Sequence, residues 1–317
     1  MADEKRISKG LYWDRSWRVV NGCTKISPSC DHCWSESETN VRGSNPAVAS
    51  RYAKDEVLTV GKWNGRISLA TERVLTEPLR IKKPQVWAIW NDLFHEDMKE
   101  EWITEVIDSI VLAHWHTFMV LTKRPERMKS YFSDTHSGRW HSWPEPHPNL
   151  WLGVTAENQE MADQRIPILL QTPAAKRFVS VEPCLSEINL GSAKGLPVYW
   201  MDRGTPIRDG LSQRKIGEVQ ESRWYRHDGN LHPWLDWVIV GGESGPGARP
   251  MHEEWARDIV RQCRAAGVPA FVKQLHRLTP SGRIRVSKDM NEWPEDLRVR
   301  EFPENHSSFS EYESRRS

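Results

Sequence analysis

Eight short apolar runs recur along this chain, separated by longer stretches, several of them with helical periodicity. The runs are Trp17–Val20, Arg66–Ala70, Val86–Trp90, Phe118–Thr122, Leu150–Val154, Arg177–Val181, Trp237–Val240 and Ala270–Lys273. Most have four or five residues rich in β-branched and aromatic side chains, as strands buried on both faces do. The intervening Glu100–His114, Gln159–Gln171 and Glu253–Ala266 are amphipathic. In the last, Trp255, Ile259, Val260 and Cys263 share one face, and Gly267 follows as a stop signal. This alternation predicts an α/β fold, a TIM-like β/α barrel, complete or partial.

The repeat covers residues 1–276 as a single barrel domain. An insertion at 189–234, rich in Gly, Arg, Ser and Trp, falls between the sixth and seventh predicted strands; it either caps the rim or is a surface excursion. Residues 277–317 form a polar C-terminal extension, whose tail from Pro294 is expected to be ordered only in part. Lys and Arg total 44 against 43 Asp and Glu, a net charge of +1, so the whole chain makes no electrostatic case for nucleic acid. Local contact stays open, because Arg223–Arg226 interleaves basic and aromatic side chains. No apolar run approaches the roughly 20 residues of a membrane helix, and the N-terminus lacks a signal-peptide core. A cytoplasmic protein without membrane association is expected.

In a barrel of this kind functional side chains follow the strand C-termini, and polar clusters stand there. Cys23, Cys30 and Cys33 follow the first run in the spacing Cys-x6-Cys-x2-Cys, while Cys184 and Cys263 are isolated. An odd cysteine count without an export signal argues against a disulfide framework. Three thiolates on one loop suit a 4Fe–4S cluster with one iron left open. The alternative is zinc, closed by His32, Cys184 or a more distant ligand. Asp92 and His95 are acid/base candidates or sugar-hydroxyl ligands, with helix capping by Asp92 as the structural alternative. Lys123 and Arg124 oppose the dipole of the helix they open. That points to a carboxylate or phosphate ligand, or to a salt bridge with Glu157 or Glu182. Asn91 belongs to the same rim. Thr155, Glu157 and Asn158 either bond a ribose or cap their loop. Gly241, Gly242, Glu243 and Ser244 open a glycine-rich loop suited to close ligand approach. Lys273 meets either a carboxylate ligand or Glu182.

These residues carry a resemblance. A three-cysteine loop after the first strand of a β/α barrel resembles the radical S-adenosylmethionine (radical SAM) superfamily. More closely, five motifs in order are similar to a phage- and prophage-associated family of uncharacterised function. They are the Asn21–Cys33 loop, Asp92-Leu93-Phe94-His95, Leu121–Pro125, Ser180–Pro183 and Gly241–Gly245, and the likeness spans about residues 12–276. The superfamily's usual loop is Cys-x3-Cys-x2-Cys. Its Gly-Gly-Glu segment follows an early strand, whereas Gly241–Glu243 follows a late one, so that role does not transfer.

The resemblance implies a 4Fe–4S cluster on the three cysteines, with S-adenosylmethionine on the open iron. It also implies an external electron donor and a 5′-deoxyadenosyl radical that attacks a small-molecule or nucleotide substrate, with nucleic acid as an alternative target. His32 and Trp34 would lie near the adenine. Asp92, His95, Lys123, Glu182 and Lys273 would serve catalysis in the cytoplasm, the host's if the protein is phage-encoded. The other readings are a zinc-containing nucleic-acid-processing enzyme and a non-catalytic phage accessory protein with a structural zinc.

Overall fold

The computed structural model describes residues 4–133, 146–192, 234–245, 247–279 and 283–303. Its frame is an eight-stranded sheet in chain order: β1 Arg15–Trp17, β2 Val86–Ile89, β3 Thr117–Thr122, β4 Leu150–Thr155, β5 Lys176–Val181, β6 Trp237–Gly241, β7 Ala270–Leu278 and β8 Ile284–Ser287. The first seven pair in parallel, each with the next, and β8 adds antiparallel to β7. Among the described residues neither β1 nor β8 has a second partner strand, and the sheet is a curled half-barrel.

Side chains alternate between its faces, apart from a bulge where Gly241 meets Gln274. Val120, Leu152, Val179, Val238 and Val272 join a large core with the helices. Those helices are α1 Trp34–Arg42, α2 Glu100–Leu112, α3 Pro125–Ser133, α4 Gln159–Gln171 and α5 Glu253–Ala265. All but α1 bury apolar residues in that core, among them Ile107, Met128, Ile166 and Ile259. Met119, Trp151, Phe178, Trp237, Ile239 and Phe271 point the other way and fill the concave side with Tyr12. Trp237 is the centre of this cluster, with ring centroids of Tyr12 at 5.5 Å, Phe271 at 5.9 Å and Phe302 at 5.3 Å. Burying one such aromatic stabilises the fold by about 2–3 kcal/mol.

The N-terminal segment spans the gap between β1 and β7. Asp14 N–H donates to the Val86 carbonyl (2.8 Å), Tyr12 packs on Phe271, and Arg300 bonds the Ile7 carbonyl. Residues after β8 return to the sheet: Val272 N–H donates to Val299 (2.8 Å), and Trp293, Leu297 and Val299 are buried.

Two predicted strands are corrected: of Trp17–Val20 only Trp17 lies in β1, which runs Arg15–Trp17, and Val20 belongs to a separate ribbon. Within Arg66–Ala70, Ser68–Leu69 pairs antiparallel with Val20–Asn21 in a separate two-stranded ribbon. Its side chains are half-exposed, and Thr71 leads directly into a helical turn at Glu72–Leu75, so the segment has neither the two buried faces nor the crossover a parallel strand needs. The unpredicted β8 completes the count of eight. Most of the 189–234 segment, with Arg223–Arg226, lies outside the described residues.

Candidate functional site

The cysteine loop begins where β1 ends. Gly22 has φ +84°, and a Cβ there would lie 2.0 Å from the Arg66 carbonyl oxygen, so only glycine lets the chain turn into Cys23. A helical turn at Pro28–Cys30 follows, and Cys33 stands at the N-cap of α1. From there the loop reaches over the C-terminal mouth of the sheet and is anchored at three points.

Thr24 makes the first anchor. Its hydroxyl accepts from Arg124 Nη2 (2.6 Å) and His95 Nε2 (2.8 Å) and donates to Glu96 Oε1 (3.1 Å). His95 Nδ1 accepts the Asp97 N–H (3.1 Å), which leaves the ring proton on Nε2. Burial, with Arg124 nearby, holds the fully buried His95 below its ordinary pKa, so it is neutral at pH 7. Asp92 accepts from Thr122 Oγ1 (2.5 Å), Phe94 N–H (3.1 Å), Arg124 Nη1 (2.9 Å) and Lys123 N–H (3.2 Å). These four bonds employ it in positioning Arg124. Arg124 also grips Glu96, and so turns to Asp92 and Glu96 instead of Glu157 or Glu182.

Glu157 is the second anchor. It has no exposure, accepts the Ser29 N–H (3.2 Å) and takes Arg165 Nη1 (3.0 Å). Burial pushes its pKa up, but Arg165 and its hydrogen bonds bring it below the ordinary carboxylate value. The third anchor joins the two ends of the sheet. Glu243, after β6, accepts from His32 Nδ1 (2.9 Å), from Arg249 Nε (2.9 Å) and from Arg249 Nη2 (2.5 Å). The same guanidinium donates to Asp31 Oδ2 (3.2 Å) and to the Pro28 carbonyl (2.8 Å). Burial raises the Glu243 pKa, yet the Arg249 and His32 bonds outweigh it and hold it at about 2.

The thiols under this roof differ. Burial, reinforced by Asp92 and Cys33, pushes Cys23 up to about 12 against the opposing pull of Arg124 and Lys123. Burial raises Cys30 as well, but Lys123 and the hydrogen bonds of Ile26 and Ser27 overcome it, so this thiol ionises more easily than usual. Lys123 therefore acts on two of the three thiols. Among the described residues its ammonium has no carboxylate partner, whereas Arg124, Arg165, Arg249 and Lys273 are all tied to one. Among the described residues no three His, Cys, Asp or Glu side chains are gathered into a ligand set for a metal ion. The donor chemistry itself fits a thiolate-held group: three thiols lie on one short loop, and the charge of Lys123 favours the ionised form of two of them.

The remaining rim residues divide into those that hold structure and those open to the mouth. Lys273 pairs with Glu182 (2.7 Å) beside Trp13 and Tyr12, which realises the salt-bridge alternative for both. Asn158 caps α4 by accepting the Met161 N–H (2.9 Å). Thr155 is buried, and its carbonyl accepts from Arg165. Asn91 accepts from Ser35 and donates to the Val20 carbonyl (2.7 Å), fixing α1 to the ribbon that follows β1. Gly241 bulges against Gln274, and a Cβ on Gly242 would strike the His276 ring at 2.6 Å, so that glycine serves close packing. Ser244 is half-exposed at the rim. Trp34 is half exposed, edge-on to Trp90 at 4.6 Å and next to Cys33. Cys184 and Cys263 are buried, and Cys184 donates to the Ser186 carbonyl (3.3 Å).

Sequence reasoning missed Arg249, Arg165 and Thr24 as anchors. Arg249 and Arg165 have no periodic or motif signal in the sequence, and Thr24 lies inside the cysteine motif without a signal of its own. A family model described as a protein of unknown function, DUF5131, matches residues 8–301. The chain belongs to that family. No curated protein and no solved structure matches the chain. No helix among the described residues is long and apolar enough to cross a membrane.

Proposed function

We propose that Cys23, Cys30 and Cys33 hold a 4Fe–4S cluster and that the protein is a radical SAM-like enzyme acting on a nucleotide or nucleic acid. The observation that carries this reading is the thiol loop over the C-terminal mouth of a parallel half-barrel, where the charge of Lys123 acts on Cys23 and Cys30. Loops at that end of consecutive parallel strands are where such folds place their chemistry. When bound, the cluster supplies the electron that cleaves S-adenosylmethionine. Lys123 holds the anionic end of the ligand. Trp34 offers a base-stacking face beside the third cysteine. The Thr24, Glu157 and Glu243 anchors keep the loop in place and limit water access to the thiols.

A second reading rests on His32. Its Nδ1 bond to Glu243 leaves Nε2 with a free lone pair, the carboxylate-oriented form in which imidazole binds zinc. In that reading Cys23, Cys30, Cys33 and His32 hold one zinc ion in an enzyme that processes nucleic acid.

Anaerobic purification with iron, sulfide and zinc analysis separates them. The first reading expects about four iron and four sulfide per chain and loss of both in Cys30→Ala. One firmly held zinc without sulfide, lost in His32→Ala, is the outcome of the second. Replacing Lys123 with Gln leaves the cluster in place and weakens S-adenosylmethionine binding about tenfold or more, the size of one charge-assisted hydrogen bond. Unchanged affinity in calorimetry would remove Lys123 from the ligand site.

A further inference from the structure

A strained apolar residue stands at the tip of a hairpin that is tied to the cysteine loop. Leu58–Thr59 and Lys62–Trp63 pair antiparallel, and Val60-Gly61 makes the two-residue turn between them. Both turn residues have positive φ, +51° at Val60 and +72° at Gly61. That conformation suits Asn-Gly and strains a β-branched side chain. Val60 is 96% exposed, so no burial offsets the strain. The surroundings hold the turn in place. Buried Glu36 of α1 accepts the Trp63 N–H (2.9 Å) and Lys62 Nζ (3.0 Å), and Asn64 N–H donates to the Val57 carbonyl (3.0 Å). Lys25, in the cysteine loop, lies 3.4 Å from the same Glu36 oxygen as Lys62, which joins hairpin and loop.

Around this tip the surface is apolar and basic. On α1, Trp34 and Val41 stand seven residues apart and share a face; Trp34 is half exposed and Val41 71% exposed. A Cβ on Gly61 would come within 3.2 Å of Asn40 Nδ2, so the tip sits against the end of α1 that carries Val41. Residues 40–66 hold five Lys and Arg against two Asp and Glu, a net charge of +3 where the whole chain has +1. The two carboxylates, Asp55 and Glu56, stand in the helical turn Lys54–Val57 ahead of the hairpin. Lys25 and Lys62 are exposed and share one carboxylate, which leaves that side of the hairpin positive. An apolar protein surface docked here would desolvate these cations without compensating them. A phosphate backbone compensates them, and an exposed aliphatic tip between cations suits insertion between stacked bases.

We propose that the hairpin tip is a base-stack wedge: Val60 enters between neighbouring bases of a nucleic-acid duplex, Lys62 and Lys25 hold the flanking phosphates, and Trp34 receives the base set free. This rests on the nucleic-acid reading above and names double-stranded nucleic acid as the form bound. Trp34 and Asn40 are six residues apart on α1, about 9 Å along its axis, so the wedge and the stacking face lie within a few base steps of each other. Opening the stack costs free energy, which the phosphate contacts and stacking on Trp34 offset.

The test uses short DNA and RNA duplexes carrying 2-aminopurine, whose fluorescence rises when it leaves the stack, with wild type, Val60→Asn and Lys62→Gln. Wild type is expected to bind at least one duplex and to raise the signal several-fold. Asn suits the turn, so Val60→Asn should melt at or above the wild-type temperature while the fluorescence rise is lost and affinity falls. A purely structural role for Val60 would move the melting temperature and leave the signal. Lys62→Gln should lower the slope of log affinity against log salt by about one; an unchanged slope contradicts its phosphate contact. Binding by wild type without a fluorescence rise, or an equal rise with Val60→Asn, overturns the wedge and leaves the nucleic-acid reading standing. A wild-type chain that binds neither duplex overturns both, and its iron and sulfide content reports on the cluster reading separately.

Discussion

Glu157 and Glu243 look alike in sequence, each a lone carboxylate in a loop after a strand, and both turn out to hold the cysteine loop while paired with an arginine. Glu157 has no exposure and keeps its charge because Arg165 lies 3.0 Å away. Replacing Arg165 with Leu strands that carboxylate and is expected to destabilise the fold by about 3–5 kcal/mol, measured by urea unfolding. A change under 1 kcal/mol would mean the carboxylate takes up a proton instead. Glu243 yields a pH prediction. Its folded pKa of about 2 lies below the ordinary 4.5, so its contribution to stability is full above about pH 4.5 and is lost as pH falls towards 2. Glu243→Gln should therefore flatten the acid limb of a stability–pH profile over that range and leave the neutral region parallel to wild type. The polar residues of the rim were readable from sequence, and so was the Lys273–Glu182 pair as one alternative, but the pairings of Arg249 and Arg165 were not. Arg249 reaches Asp31 and Pro28 across more than two hundred positions, and no local pattern encodes a contact of that separation.

At the scale of elements, strands and helices with contiguous or periodic apolar faces were legible: α4 lies at Gln159–Gln171, where its amphipathic pattern places it. The failures were short and partly wet. Ser68–Leu69 has a strand-like composition but packs as a ribbon beside the start of the cysteine loop. Strand β8 reads Ile-Arg-Val-Ser, with Ile284 and Arg285 both exposed at the sheet edge, so it gave no buried-strand signal. The ribbon matters for the site, because Gly22 turns against it. Gly22→Ala adds both a strained φ and a contact at 2.0 Å with the Arg66 carbonyl. The expected result is a lower melting temperature together with reduced metal or cluster content. Full cluster content in a folded Gly22→Ala protein would show that the loop's entry point is not critical.

Across the whole molecule, the half-barrel has two differently built halves of its concave side. The lower half is aromatic and closed by Tyr12 and Phe302 around Trp237; the upper half is polar and roofed by the cysteine loop. Trp237→Ala removes the centre of the aromatic half and is expected to cost about 3–5 kcal/mol in chemical denaturation. Sequence alternation pointed to the parallel winding. It could not reveal that the circle stays open, because closure depends on whether the first strand meets the last, a pairing between distant segments. The measurement that bears most directly on the central claim is turnover of S-adenosylmethionine. Reconstituted wild-type protein with a strong reductant should release 5′-deoxyadenosine, and Cys30→Ala should release none. A wild-type chain that carries its full iron and sulfide yet leaves S-adenosylmethionine intact would contradict it.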